Sequence, residues 1–338
     1  MFKKIASPLL ASLLILVFIS CGNKQPKKLR IGLSMDTYTE ERWKKDADFF
    51  EERAGQLGAE VIRQVCNGNE QLQNEQVENL LTQGIDVLVI VPHNSKTAAA
   101  AVKSAKASGI KVIAYDRIIK DCDLDLYVSF DNVKVGELQA QYMFNLAPKG
   151  NYILVEGSST DENAFMYEKG QLSILKPAID KGDITIVSQQ YSKDWLPIEA
   201  LKQTQNALTK SNNNITAVVV ANDGLASGCI QALAEQQLAG KVPVSGQDAE
   251  LAAIQRVIDG TQSMTVYKPI KQLAYAGAEA AVAFAQKKDA QGVNNKINNG
   301  VKDVPSMLLV PVSVDKNNYM ETVVKDGYVK KEQLKIVN

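Results

Sequence analysis

Histidine is nearly missing from this 338-residue chain: there is one, His93. A single imidazole cannot build a zinc site of the usual ligand count, and nothing places it to serve a nucleophile. At the end of a strand pattern it reads as a loop residue. Cysteine is scarce, at four. Cys66, Cys122 and Cys229, the three beyond Cys21 near the N-terminus, are too widely spaced for a disulfide framework and read as free thiols packed as small apolar groups. There is no excess of either charge, with 38 Lys plus Arg against 38 Asp plus Glu, and no basic block. That balance, with no helix-turn-helix segment ahead of the patterned region, argues against a nucleic-acid partner. The chain has no Gly-x-Gly-x-x-Gly, no Walker lysine and no Gly-x-Ser-x-Gly elbow. No nucleotide cofactor or serine nucleophile is therefore implied.

What is present begins with an export signal. Lys3 and Lys4 precede an apolar run from Ile5 to Ile19, short for a spanning helix and right for a signal peptide over residues 1–20. No Ala-x-Ala follows. Phe18-Ile19-Ser20-Cys21 instead resembles a bacterial lipobox, whose cysteine becomes the lipidated first residue. The expectation is a mature protein outside the cytoplasm, in the periplasm or cell envelope, held to a membrane through Cys21 by a polar linker over 21–28.

The rest of the chain repeats one pattern. Thr216-Ala-Val-Val-Val-Ala-Asn-Asp-Gly224 is an apolar strand, buried on both faces, that stops abruptly in polar residues before a helix. Val87–Val91 ends in Pro92-His93-Asn94, Val112–Tyr115 in Asp116-Arg117, Tyr152–Val155 in Glu156-Gly157-Ser158, and Val242–Ser245 in Gly246-Gln247-Asp248. Helices at Glu40–Leu57, Glu70–Gln83 and Lys96–Ser108 alternate with the early strands, which implies a right-handed parallel sheet. Trp43, Ala47, Phe50, Ala54 and Leu57 form the buried stripe of the first helix, with Thr39 as its N-cap. A second α/β series starts at Tyr152. Residues 287–302 read as loop, Leu308–Val314 as a last strand, and the tail from Val323 as peripheral. Parallel sheets bind ligands beyond their strand ends, so the repeated polar ends point to one polar ligand held between two sheets.

Arg42 and Lys45 oppose the helix dipole in the first turn of their helix. They are either neutralised at the surface by Glu41 and Asp46 or aimed into the cleft. Asp116, Asp223 and Asp248 are candidates for paired catalytic carboxylates, but their setting among Asn and Arg favours hydrogen bonding over proton transfer. The pattern favours binding over catalysis.

Glu41-Arg-Trp-Lys-Lys-Asp46, Ala114-Tyr-Asp-Arg117, Ser129-Phe-Asp-Asn132, Asp194-Trp-Leu-Pro197, Ala221-Asn-Asp223, Ser245-Gly-Gln-Asp248 and Thr265-Val-Tyr-Lys-Pro269 together resemble the D-xylose-binding proteins of bacterial ABC import systems, from about Leu29 to Asp326. The resemblance implies an α/β type I periplasmic-binding-protein fold: two Rossmann-like lobes joined by a three-segment hinge. The lobes would be 29–134 plus 267–302 and 135–266 plus 303–338. The crossings would fall near Val133–Gly136, Met264–Lys268 and Val301–Leu308. It also implies sugar contacts from Arg42, Lys45, Asp116, Arg117, Asn163, Trp195, Asn222, Asp248 and Lys268, and less directly from Trp43 and Asp161. Core packing remains the other reading of Trp43. No cofactor, metal or catalytic residue is implied. The expected partners are one monosaccharide, D-xylose first, and a membrane permease, with the chain acting as a monomer. A binder of ribose, arabinose or allose, a sensing subunit for a membrane kinase or chemoreceptor, and a sugar-processing enzyme are the alternatives.

Overall fold

The computed structural model describes residues 28–335. The expected signal peptide and Cys21 lie outside the described residues. Among the described residues no helix is long and apolar enough to cross a membrane.

Strands β1 (Leu29–Met35), β2 (Ala59–Val65), β3 (Val87–Ile90), β4 (Lys111–Tyr115) and β5 (Leu126–Phe130) alternate through β4 with helices α1 (Glu41–Gln56), α2 (Glu70–Thr82) and α3 (Ala99–Ala107). Then come α4 (Asn132–Leu146), β6 (Gly150–Glu156), α5 (Glu162–Asp180), β7 (Ile184–Tyr191), α6 (Pro197–Lys210), β8 (Ala217–Val220), α7 (Asp223–Glu235) and α8 (Leu251–Asp259). The chain continues through β9 (Thr265–Tyr267), α9 (Ile270–Ala285), β10 (Asn295–Asn298), β11 (Asp303–Leu309) and β12 (Val312–Val314).

The first sheet has seven strands in the order β2-β1-β3-β4-β5-β11-β10, parallel except for β10. The second runs β7-β6-β8, all parallel. Bridges Val218–Val244 and Gln247–Val266 carry it on to the antiparallel pair of β9 and β12. All four residues of β3 and of β8 are buried, as apolar strands covered on both faces must be. Trp43, Ala47, Phe50 and Ala54 bury their stripe against β1, β3 and α9, while Leu57 is partly buried at the helix end. Glu40, not Thr39, occupies the N-cap of α1 and makes no capping bond; its carboxylate accepts from Trp43 Nε1 at 2.9 Å instead.

Three C-terminal expectations need correction. Residues 287–302 are not all loop, because β10 pairs with β11 as an antiparallel edge. Its Asn-rich sequence has little intrinsic strand preference, so the pairing comes from tertiary context. The expected strand Leu308–Val314 is two strands broken at Val310-Pro311. β11 pairs with β5 in the first sheet and β12 with β9 in the second, so the third crossing falls after Leu309, later than Val301–Leu308. The tail is not peripheral either. Val323, Val329 and Leu334 are buried against Ala249, Ile254 and Tyr267. Three scattered apolar residues follow neither helical nor strand period, so no local pattern marks them as core.

Helices α4 and α5 meet backbone to backbone. A Cβ on Gly170 would lie 2.0 Å from the Val133 carbonyl oxygen, and one on Gly136 would lie 2.0 Å from that of Tyr167. Gly170→Ala should therefore lower stability by about 1–3 kcal/mol. An unchanged urea midpoint would show that the two helices have room to part.

Candidate functional site

The carboxyl ends of β4, β6 and β8 face a gap between the two bodies. Asp116 and Arg117 follow β4, Asn222 follows β8, and Asp248 follows the Gln247 bridge. The first turns of α1 and α5 bring Arg42, Trp43 and Asn163, the turn before α6 brings Trp195, and the residue after β9 is Lys268. Together they line a cavity of ≈ 270 Å³ of empty space, part of it open to solvent.

Charge pairing organises its walls. Arg42 reaches Asp46 at 3.0 Å, Asp116 at 2.7 Å and Asp248 at 3.7 Å. Arg117 bridges Asp36 at 2.7 Å and, from the other body, Asp161 at 2.8 Å. Asn163 Nδ2 donates to the backbone and side-chain oxygens of Asp116 at 3.1 and 3.2 Å, while Asn163 Oδ1 accepts from Asn132 at 2.9 Å. Burial pushes the Asp116 carboxyl up, but Arg42, Lys268 and Arg117 outweigh it and hold Asp116 below the usual carboxylate range. At Asp161 burial prevails over Arg117 and the carboxyl is raised. Asp36 is lowered: burial raises it, and His93 and Arg117 more than offset that. His93 Nδ1 lies 2.9 Å from Asp36 Oδ1, and that bond raises the imidazole.

The backbone is strained where the side chains must be aimed. Asp116 has φ +62°, Trp195 +58° and Asp248 +94°. Left-handed conformations are uncommon for such residues and concentrate at ligand sites. Three lining atoms lack a hydrogen-bond partner among the described residues although buried: Trp195 Nε1, Gln247 Oε1 and Asp248 Oδ1. Lys268 Nζ does lie 3.0 Å from Asp248 Oδ1, an ionic contact without hydrogen-bond alignment. Orphaned buried polar atoms cost about 1–3 kcal/mol each, so one donor and two acceptors stand ready for a ligand.

Ten of the eleven expected residues line the cavity: Arg42, Trp43, Asp116, Arg117, Asp161, Asn163, Trp195, Asn222, Asp248 and Lys268. Lys45 does not. Its Nζ pairs with Glu41 at 2.6 Å and lies over the Tyr328 ring at 4.5 Å. Trp43 belongs to the core, and its ring also lines the cavity, where it carries Arg42 at 4.3 Å and Arg117 at 5.0 Å. Glu40, Tyr167 and Gln247 line the cavity without having been singled out. Tyr167 was findable, because it lies one helical turn beyond Asn163 on the same face. Asp223 stays outside, accepting from Gln262 at 2.7 Å and Thr265 at 2.9 Å, so it forms no catalytic pair with Asp116. Among the described residues no group of three or more His, Cys, Asp or Glu is placed to hold a metal ion.

Two α/β bodies closing on a buried, charge-paired cavity define a binding protein for a small polar molecule. The chain belongs to the periplasmic binding protein family, whose domain matches residues 31–289, and that membership places its work in the periplasm. It is 51% identical over 308 residues to the D-xylose-binding periplasmic protein of Escherichia coli strain K12, covering 91% of this chain and 93% of that one. Identity to the D-xylose-binding periplasmic protein of Haemophilus influenzae is 49% over 331 residues, covering 98% and 99%. A crystal structure of a carbohydrate transporter solute binding protein from Chloroflexus aurantiacus, in complex with D-glucose, superposes with a TM-score of 0.86 at 32% identity, covering 92% of this chain and 99% of that one.

Proposed function

We propose that this protein captures one monosaccharide, D-xylose first, and delivers it to an ABC permease in the membrane. The observation that carries the reading is the composition of the cavity wall. Glu40, Asp116, Asp161 and Asp248 face Arg42, Arg117 and Lys268, with two indoles beside them. A sugar hydroxyl is donor and acceptor at once, so each can join a carboxylate to a guanidinium or ammonium. Aromatic faces suit the apolar side of a pyranose ring. Acids and cations nearly balance, which favours an uncharged ligand over an anion or a cation. The two D-xylose-binding relatives support the choice of sugar.

Arg42, Asp116, Arg117, Asn163, Trp195, Asn222, Asp248 and Lys268 are the proposed contacts, with Trp43 and Asp161 behind them. Sugar enters an open form, donors and acceptors of both bodies engage it, and rotation about the three crossing segments closes the cleft. Closure follows only so far as the sugar prefers the closed form. We further propose that Cys21 carries a lipid tether and that the chain acts as a monomer.

Calorimetry on the chain lacking residues 1–20 tests the reading. D-Xylose should bind one site more tightly than D-ribose or D-glucose. Tighter binding of glucose, the sugar held by the Chloroflexus relative, would move the assignment to a hexose. No heat with any monosaccharide would refute the sugar reading.

A further inference from the structure

Trp195 owes its position to an unusual contact. A Cβ built on Gly157 would lie 2.0, 2.3 and 2.5 Å from Cη2, Cζ2 and Cζ3 of the Trp195 indole. The six-membered ring of the indole therefore rests on the bare Cα of Gly157. Separations under 3.0 Å cannot persist, and an indole is too rigid to bend out of the way. The loop that carries it cannot retreat either. Ser192 N donates to the carbonyl oxygens of Glu156 at 3.1 Å and Gly157 at 3.0 Å, and Trp195 N donates to Ser192 O at 3.2 Å. Two consecutive left-handed residues, Asp194 at φ +50° and Trp195 at +58°, fix the direction of the side chain from that pinned loop. The ring also meets Tyr167 edge-on, with centroids 6.4 Å apart. Trp195 lines both the inner cavity of ≈ 270 Å³ and a larger outer chamber of ≈ 630 Å³ between the two bodies. Any displacement of the ring redistributes space between them.

We infer that Gly157 is a specificity-determining position: the missing side chain lets the Trp195 indole lie back, and so sets the size of ring the cavity accepts. The inference rests on the sugar reading above and deepens it. Gly157 is a positioning residue, acting through Trp195 rather than by touching ligand. Its backbone is not in the left-handed region, so alanine fits there without strain of its own. The added methyl group pushes the indole off its seat while the pinned loop holds the backbone still.

The test compares the unsubstituted chain, Gly157→Ala, Trp195→Phe and the double variant Gly157→Ala/Trp195→Phe, with D-xylose and D-glucose titrated into each. A methylene-sized change in a fitted pocket is worth about 10- to 200-fold. Gly157→Ala should lose D-xylose affinity in that range and D-glucose affinity by more, because the extra hydroxymethyl group needs the same volume. The phenyl ring lacks the outer atoms of the indole that meet the new methyl group, so adding Gly157→Ala to Trp195→Phe should cost far less affinity than adding it to the unsubstituted chain. A purely structural effect would lower the melting temperature, leave the ratio of the two sugars unchanged and cost the same in both backgrounds. Wild-type affinity in Gly157→Ala, or an equal loss in the two backgrounds, overturns the inference alone. Failure of the unsubstituted chain to bind any sugar overturns the sugar reading and takes this inference with it.

Discussion

Asp248→Asn is expected to weaken D-xylose binding by about 2–5 kcal/mol, roughly 30- to 5,000-fold in Kd. Asp248 is 5% exposed, and its Oδ1 lies 3.0 Å from Lys268 Nζ and 3.7 Å from Arg42 Nη1. The same oxygen has no aligned donor, so a sugar hydroxyl placed against it gains a charge-assisted hydrogen bond. Asparagine keeps the shape and one oxygen but removes the charge that orients the two cations. Alanine is the poorer test. It would leave Lys268, itself 2% exposed, facing no oxygen where asparagine still offers one, and breaking a buried pair costs about 3–5 kcal/mol of stability. Loss of binding in Asp248→Ala would then mix a damaged fold with a damaged site. Calorimetry on Asp248→Asn, with its urea midpoint as the control, separates the two. Near-native affinity would remove Asp248 from the site.

The second large effect concerns stability and pH, and its source is Glu156. Its side chain is fully buried at the end of β6, and burial, with Glu168 adding to it, pushes its carboxyl up to about 8. Gln189 Nε2 donates to Glu156 Oε1 at 3.3 Å and eases the charged form, but the amides on its other side favour a proton. Gln139 Nε2 donates to the carbonyl oxygens of Val220 and Ala221 at 3.1 Å and of Gly246 at 3.2 Å, so Gln139 Oε1 must face Gln171 as an acceptor. Gln171 Nε2 donates to it at 3.0 Å, which turns the Gln171 oxygen toward the Glu156 carboxyl at 3.0 and 3.2 Å. Two acceptors at that separation repel unless Glu156 carries a hydrogen to donate.

A carboxyl raised on folding holds a proton that the unfolded chain has already released. Stability from this group is complete below the unfolded value of about 4.3 and declines as pH rises toward 8, by roughly 1.4 kcal/mol per pH unit. Asp223, raised to about 7, and Glu250, raised to about 8, both chiefly by burial, act with the same sign. Glu156→Gln supplies a permanent donor to Gln171 and removes the titration. Its urea midpoint should match the unsubstituted chain more closely near pH 5 than near pH 8.5, where the variant should be the more stable by a few kcal/mol. A midpoint difference that stays constant between those two pH values would show that Glu156 is ionised throughout.

Much of the site could be read before any coordinates because the chain repeats one local rule. An apolar strand of four or five residues must be buried, and the polar residues ending it cannot be. Asp116, Asn222 and Asp248 stand at such ends and all reach the cavity. Gln247 stood at one too, but an amide beside an aspartate gave no reason to prefer it. Glu40 was hidden by its place before α1, where an acidic residue is ordinary helix chemistry.

Lys45 shows the limit from the other side. It shares the first turn of α1 with Arg42, and nothing local distinguishes the two cations. Arg42 is chosen because Asp116, 74 positions away, and Asp248 in the other body converge on it, while Lys45 meets Glu41 and Tyr328. The same holds for β10, the split of β11 from β12, and the buried tail. By itself the sequence determined most of the strands and helices ahead of the C-terminal segments and where each strand turns polar, since burial periodicity and chain stiffness act over a few residues. Only the tertiary structure decided which distant charges meet, where the chain last crosses between bodies, and how closely Trp195 settles onto Gly157. Pairing and packing depend on surfaces that folding alone brings within reach.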